Sequence, residues 1–176
     1  MCLALYIGSE KELPLISYPD YPQSVICSPE WPMVAPRFHT QALGEKNQKV
    51  RAHFSTLYVV LAGSYERCSC GFNYGREYPD DEDDKDHLLV ARESVEELVN
   101  YVRKNNVTEI YSCTLDNEAL PKESERTVMV EELLSSTFVF KQKELLHITK
   151  SPNPVFNTDP GDTTRLSAGK RKRYTS

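Results

Sequence analysis

The chain has 176 residues, of which 39% are hydrophobic and 27% charged, and this length and composition are typical of one globular domain rather than of a disordered segment. No apolar run approaches the roughly 18 residues that a membrane helix needs, and the first residues lack the basic segment of a secretory signal, so we expect a cytoplasmic protein with no membrane partner. From Lys150 onward the chain contains six Lys or Arg and two Asp, so the residues before that point carry a net charge of −9. Such an acidic body argues against nucleic acid as a partner.

The first half of the chain predicts two main strands, separated by a proline-rich connection that holds a third, short strand. An apolar run closed by a glycine predicts a strand over residues 3–8. From there to Pro36 the chain holds six of its 11 prolines, which predicts extended connection with one short edge strand at 24–28. Residues 53–64 are rich in β-branched and aromatic side chains and predict a central strand covered on both faces.

The second half of the chain predicts the main helix and the remaining strands. Ser94 and Glu97 have the spacing of a capping box, and the apolar residues after Ser94 have helical spacing, so a helix is predicted from Ser94 to about residue 104. Further strands are predicted over residues 107–113, 126–130, 138–140 and 144–149, with a short helix at 131–136.

These elements predict a single domain over residues 1–150 of the α/β or α+β class, with a mixed sheet of five to six strands, one main helix and one short helix. The acidic run Asp80–Asp86 lacks the glycine and terminal glutamate of an EF-hand, and a solvated loop is predicted there. Residues 151–176 are polar and end in a basic cluster, which predicts a flexible tail.

The five cysteines are an odd number without the spacing of a disulfide framework. Cys68 and Cys70 lie in the glycine-rich stretch Gly63–Tyr74, called here the cysteine loop, where two sulfurs can face one soft metal ion such as zinc. A structural zinc site needs four ligands, and Cys2 and Cys113 can supply the others if an antiparallel arrangement brings their strand ends together. The predicted metal ligands are therefore Cys68, Cys70, Cys113 and Cys2.

Three alternatives to a metal site remain open. The thiols of the cysteine loop can act only as small apolar groups in a buried turn of a structural or interaction protein. Cys2 can become an N-terminal nucleophile after removal of Met1, as in N-terminal-cysteine amidohydrolases, although no Asn-Gly is present for their oxyanion hole. His53 and His147 each begin a His-x-Ser/Thr tripeptide of the kind found twice in two-histidine phosphoesterases.

Three stretches together resemble a group of short uncharacterised bacterial proteins: "MCLALYIGSEKELPLI", "YVVLAGSYERCSCGF" and "VTEIYSC". Members of that group begin Met-Cys-x-x-Leu-Tyr and carry Gly-Ser before a Cys-x-Cys-Gly-Phe loop. The resemblance implies no activity, but it groups Cys2 with Cys68, Cys70 and Cys113 and leaves Cys27 outside the set. We therefore expect a binding protein rather than an enzyme, whose cysteine loop takes a soft metal or a thiol-reactive ligand.

Overall fold

The computed structural model describes residues 2–20, 31–74 and 85–150, and this part of the chain forms one mixed six-stranded sheet. The strands are β1 (Leu3–Ser9), β2 (Phe38–Ala42), β3 (Tyr58–Ser64), β4 (Glu109–Thr114), β5 (Ser124–Met129) and β6 (Glu144–Thr149). They lie in the order β2-β3-β1-β4-β6-β5, and every neighbouring pair is antiparallel except β5 with β6. The predicted fold class is confirmed in its α+β form.

Helices cover the sheet and connect its strands. The α-helices are α1 (Trp31–Val34) and the main helix α2 (Lys85–Lys104), and the 3₁₀ helices are η1 (Glu45–His53), η2 (Cys70–Phe72) and η3 (Val130–Leu134). The short η3 lies where the sequence predicts the second helix. No helix in the described part of the chain combines the length and the apolar composition that crossing a bilayer requires.

The central strand β1 is buried along its whole length because each of its faces packs against a different layer. Leu5 and Ile7 join the larger core, which also contains the apolar residues of α2 such as Leu98. Tyr6, whose side chain points to the opposite face, belongs to a second core with Val50 of η1. Burial on both faces explains why the sequence of β1 is almost continuously apolar.

The predicted start of the main helix at Ser94 is wrong, because α2 begins nine residues earlier at Lys85. Ser94 is buried in the middle of the helix, and its hydroxyl donates a hydrogen bond of 2.9 Å to the Val90 carbonyl one turn before it. A serine that bonds back to the preceding turn fits the helix interior, so its spacing to Glu97 does not mark an N-terminus. Asp86, predicted in a loop, lies in the first turn of α2.

Other predicted boundaries differ in ways that follow from tertiary pairing. The edge strand β2 was not predicted, and its polar residues are held by antiparallel pairing with β3. The strand predicted from residue 53 begins at Tyr58, because His53 ends η1. Residues 138–140 form no strand, yet Phe138 and Phe140 are buried in the larger core.

Three predictions fall outside the described residues and stay predictions: the edge strand at 24–28, the part of the acidic run before Lys85, and the tail at 151–176.

Candidate metal centre

A tight turn follows β3 and sends the cysteine loop back toward the sheet. The Ser64 amide and the Ser64 hydroxyl each donate a hydrogen bond of 2.8 Å to the Cys68 carbonyl. The Arg67 amide donates to the Ser64 carbonyl at 3.1 Å, and Arg67 itself has a φ of 64°. The left-handed backbone conformation at Arg67 reverses the direction of the chain, which places Cys68 and the residues after it beside β1.

Ser69 fastens the cysteine loop between two strands. Its buried hydroxyl accepts a hydrogen bond of 2.8 Å from the Leu5 amide of β1 and donates one of 2.6 Å to the Ala62 carbonyl of β3. Leu5 and Ala62 are register partners at the end of the β1–β3 ladder. The serine side chain therefore bridges the last rung of that ladder, and the position of the loop depends on the pairing of the two strands.

This arrangement brings three cysteine sulfurs together. The Sγ atoms of Cys2, Cys68 and Cys70 all lie within 4.8 Å of one another. Cys2 is exposed directly before β1, while Cys68 and Cys70 are half-buried. The Leu3 amide donates to Cys70 Sγ at 3.2 Å, and the Cys70 amide donates to Cys68 Sγ at 3.4 Å. Amide donors of this kind stabilise the negative charge that a metal-bound thiolate carries.

The spacing of the three sulfurs fits a thiophilic metal ion. With Zn–S bonds of about 2.3 Å, tetrahedral geometry sets sulfurs roughly 3.8 Å apart. Sulfurs that already lie within 4.8 Å of one another need to close by no more than about 1 Å. Three cysteine side chains are the soft donor set that zinc and monovalent copper accept.

The surroundings of Cys68 favour the protonated form of its thiol. Burial raises the pKa of the Cys68 thiol well above its usual range, and the Glu66 carboxylate, 4.0 Å away, adds to the rise. The Cys70 amide opposes this shift but does not cancel it. A metal ion bound there would reverse the balance, because coordination deprotonates a thiol and releases its proton to solvent.

Cys113, the fourth predicted ligand, lies apart from the three-sulfur cluster. It is fully buried in the second core, opposite Ala4 in the β1–β4 ladder. Burial, with the nearby Glu118 charge, raises the pKa of its thiol to about 12. The structure thus brings together three of the four predicted cysteines and gives Cys113 a packing role. Cys27 lies outside the described residues.

The two histidines singled out by sequence lie in different surroundings. His53 is buried, with Nε2 2.8 Å from the Glu118 carbonyl oxygen and its ring stacked on Tyr111 at 4.3 Å between centroids. His147 is partly exposed on β6, with Nε2 3.1 Å from the Glu125 carboxylate. His53 therefore packs in the protein interior, while His147 interacts with a carboxylate at the surface.

Comparisons with known proteins assign no family to this arrangement: no protein-family profile matches the chain, and no curated protein and no solved structure is significantly similar to it.

Proposed function

We propose that this protein binds one soft metal ion through Cys2, Cys68 and Cys70, with zinc as the divalent candidate. The observation that carries the proposal is the convergence of these three sulfurs within 4.8 Å. Two amide donors directed at the sulfurs support it, because they favour the thiolate form that a metal requires.

The exposure of the three thiols favours a metal site over mere packing. Cysteines that only pack are expected to be shielded from water, as Cys113 is. Cys2 is exposed and the other two are half-buried, so the cluster is not enclosed in the core as Cys113 is.

A bound ion would link two parts of the chain that are distant in sequence. Cys68 and Cys70 come from the loop after β3, whereas Cys2 precedes the central strand. The metal would therefore join the start of β1 to the cysteine loop. Because the unfolded chain does not hold the three sulfurs together, binding should stabilise the fold.

The test is a cadmium titration of the reduced, metal-free chain, followed by sulfur-to-metal charge-transfer absorption in the ultraviolet. The proposal expects saturation at one ion per chain, with zinc displacing the signal in competition. Each single variant, Cys2→Ser, Cys68→Ser and Cys70→Ser, should lose most of this affinity, because each removes one sulfur ligand.

The matched control is Cys113→Ala, which removes a thiol outside the cluster and should retain the full absorption. Absence of a saturable signal would overturn the proposal and favour the packing alternative. A loss in Cys113→Ala equal to that in Cys70→Ser would overturn it as well.

A further inference from the structure

A groove of about 410 Å³ opens directly beside the three-sulfur cluster. Cys70 belongs to both features, since its side chain lines the groove and its sulfur is one of the three. Zinc bound by three protein ligands keeps a fourth coordination position for water or another ligand. A small molecule in this groove would lie next to Cys70, one of the three proposed ligands.

One wall of the groove is apolar and held in place. Leu3, Val139 and Phe140 form it, and both Leu3 and Phe140 are buried. The Phe140 amide donates to the Asn73 side-chain oxygen at 2.9 Å, and the Asn73 amide group donates back to the Phe140 carbonyl at 3.0 Å. This reciprocal pair fixes the backbone of the wall, so the groove is formed before any ligand arrives.

The other side of the groove carries a cation and an amide. Lys141 is exposed, and its ammonium group has no carboxylate within 4.0 Å among the residues that the structure describes. The side-chain oxygen of Gln142 accepts a hydrogen bond of 2.8 Å from the Thr114 hydroxyl, which orients the amide. The groove therefore offers an apolar surface, a positive charge and a neighbouring soft metal position.

We infer that the groove holds a small organic thiol that carries a carboxylate. Its thiolate would take the fourth position on the metal and its carboxylate would pair with Lys141. This inference rests on the metal site proposed above. In the exchange the metal–water bond breaks, the metal–sulfur bond forms, and the thiol proton passes to solvent without oxidation or reduction. Soft metals prefer sulfur over oxygen ligands, which favours the thiolate over the bound water.

The test uses the full chain loaded with cobalt(II), whose visible absorption reports the ligands of a zinc site. Two probes are titrated in separate experiments: 3-mercaptopropionate, which has both groups, and 2-mercaptoethanol, which lacks the carboxylate. We expect 3-mercaptopropionate to change the cobalt spectrum and to bind roughly two- to fivefold more tightly, as a solvent-accessible charged contact allows. Lys141→Ala should abolish that preference and leave cobalt affinity unchanged, whereas the surface control Lys104→Ala should keep it.

The possible outcomes separate the two proposals. If cobalt does not bind through sulfur, the proposed metal site itself fails. If cobalt binds but neither thiol changes its spectrum, or if the thiols only strip the metal from the protein, the groove inference fails while the metal site stands. If Lys141→Ala retained the preference for 3-mercaptopropionate as fully as Lys104→Ala, the inference would also be overturned, because the carboxylate would then have no partner at Lys141.

Discussion

The amide of Leu3 donates a hydrogen bond of 3.2 Å to the sulfur of Cys70, 67 residues further along the chain. Leu3 is the first residue of the central strand, and this side of β1 has no further backbone pairing with β3 beyond the Leu5–Ala62 rung. The cysteine loop supplies the missing acceptors, with Ser69 on Leu5 and Cys70 on Leu3. The candidate metal ligands thus lie at the end of the β1–β3 ladder, and their spacing depends on the pairing of these two strands.

Ser69→Ala should destabilise the metal-free protein. The substitution leaves the Leu5 amide and the Ala62 carbonyl without their present partner, at a cost of about 1–3 kcal/mol. Urea unfolding measures this change, and metal affinity should fall with it because the loop loses its position. Ser17→Ala, at an exposed site, serves as the control and should lie within about 0.5 kcal/mol of the parent. Equal midpoints for the two variants would show that the Ser69 bridge does not hold the loop.

Replacing each of two paired tyrosines with phenylalanine should have different consequences for the stability of the fold. Tyr6 and Tyr111 are register partners and both are fully buried. The Tyr6 hydroxyl donates to the buried Glu118 carboxylate at 2.7 Å, whereas the Tyr111 hydroxyl has no hydrogen-bond partner among the described residues.

Tyr6→Phe should therefore cost about 1–3 kcal/mol, because it removes a partner from a buried carboxylate. Tyr111→Phe should be neutral or stabilise by up to about 1 kcal/mol, because it removes an unsatisfied group. Chemical denaturation of both variants checks the difference. The reverse order of stabilities would contradict the hydrogen-bond assignment.

Gly63→Ala should destabilise the β2–β3 pairing. Gly63 lies opposite His39, and a Cβ atom at Gly63 would overlap the buried His39 ring. Because the ring is enclosed, relief requires a shift of the strands at a cost of about 1–3 kcal/mol or more. Gly44→Ala is the matched control, since a Cβ there meets nothing within 4 Å and its φ of −71° suits alanine. A thermal unfolding midpoint for Gly63→Ala as high as that of Gly44→Ala is the result that this account does not allow.

Ser94→Ala should change the stability by no more than about 0.5 kcal/mol. The variant loses the hydroxyl bond to Val90 but gains the higher helix propensity of alanine, and the two effects oppose each other. At a helix N-terminus the same substitution would cost about 0.5–2 kcal/mol. The urea midpoint measures the balance of the two effects, and a loss well above 1 kcal/mol would show that the hydroxyl bond to Val90 outweighs the gain in helix propensity.

The parts of the fold that sequence could predict are those with strong local patterns. The apolar runs of β1 and β6 predict their strands because burial on both faces leaves little room for polar residues. The edge strand β2 lacks such a run, and it is a strand because β3 pairs with it. The helix start was predicted wrongly at Ser94, because a serine followed three residues later by a glutamate, here Glu97, fits a helix interior as well as an N-terminal cap.

The sequence could single out candidate cysteines, but it could not predict which of them lie close together. The spacing and surroundings of Cys68 and Cys70 indicate a paired sulfur site, and the position of Cys2 before the first strand offers a third donor. Nothing local separates Cys2, which joins the cluster, from Cys113, which packs in the second core. That distinction depends on the return of the cysteine loop to β1, and on Ser69, whose contacts span distant parts of the chain.

The most direct measurement of the central claim is X-ray absorption at the zinc edge of the zinc-loaded chain, prepared without added thiol. The account predicts a first shell dominated by three sulfur atoms at about 2.3 Å, completed by one lighter atom. Cys70→Ser should lower the sulfur contribution, while Cys113→Ala should leave it unchanged. A shell of nitrogen and oxygen alone, at about 2.0–2.2 Å, would contradict the account.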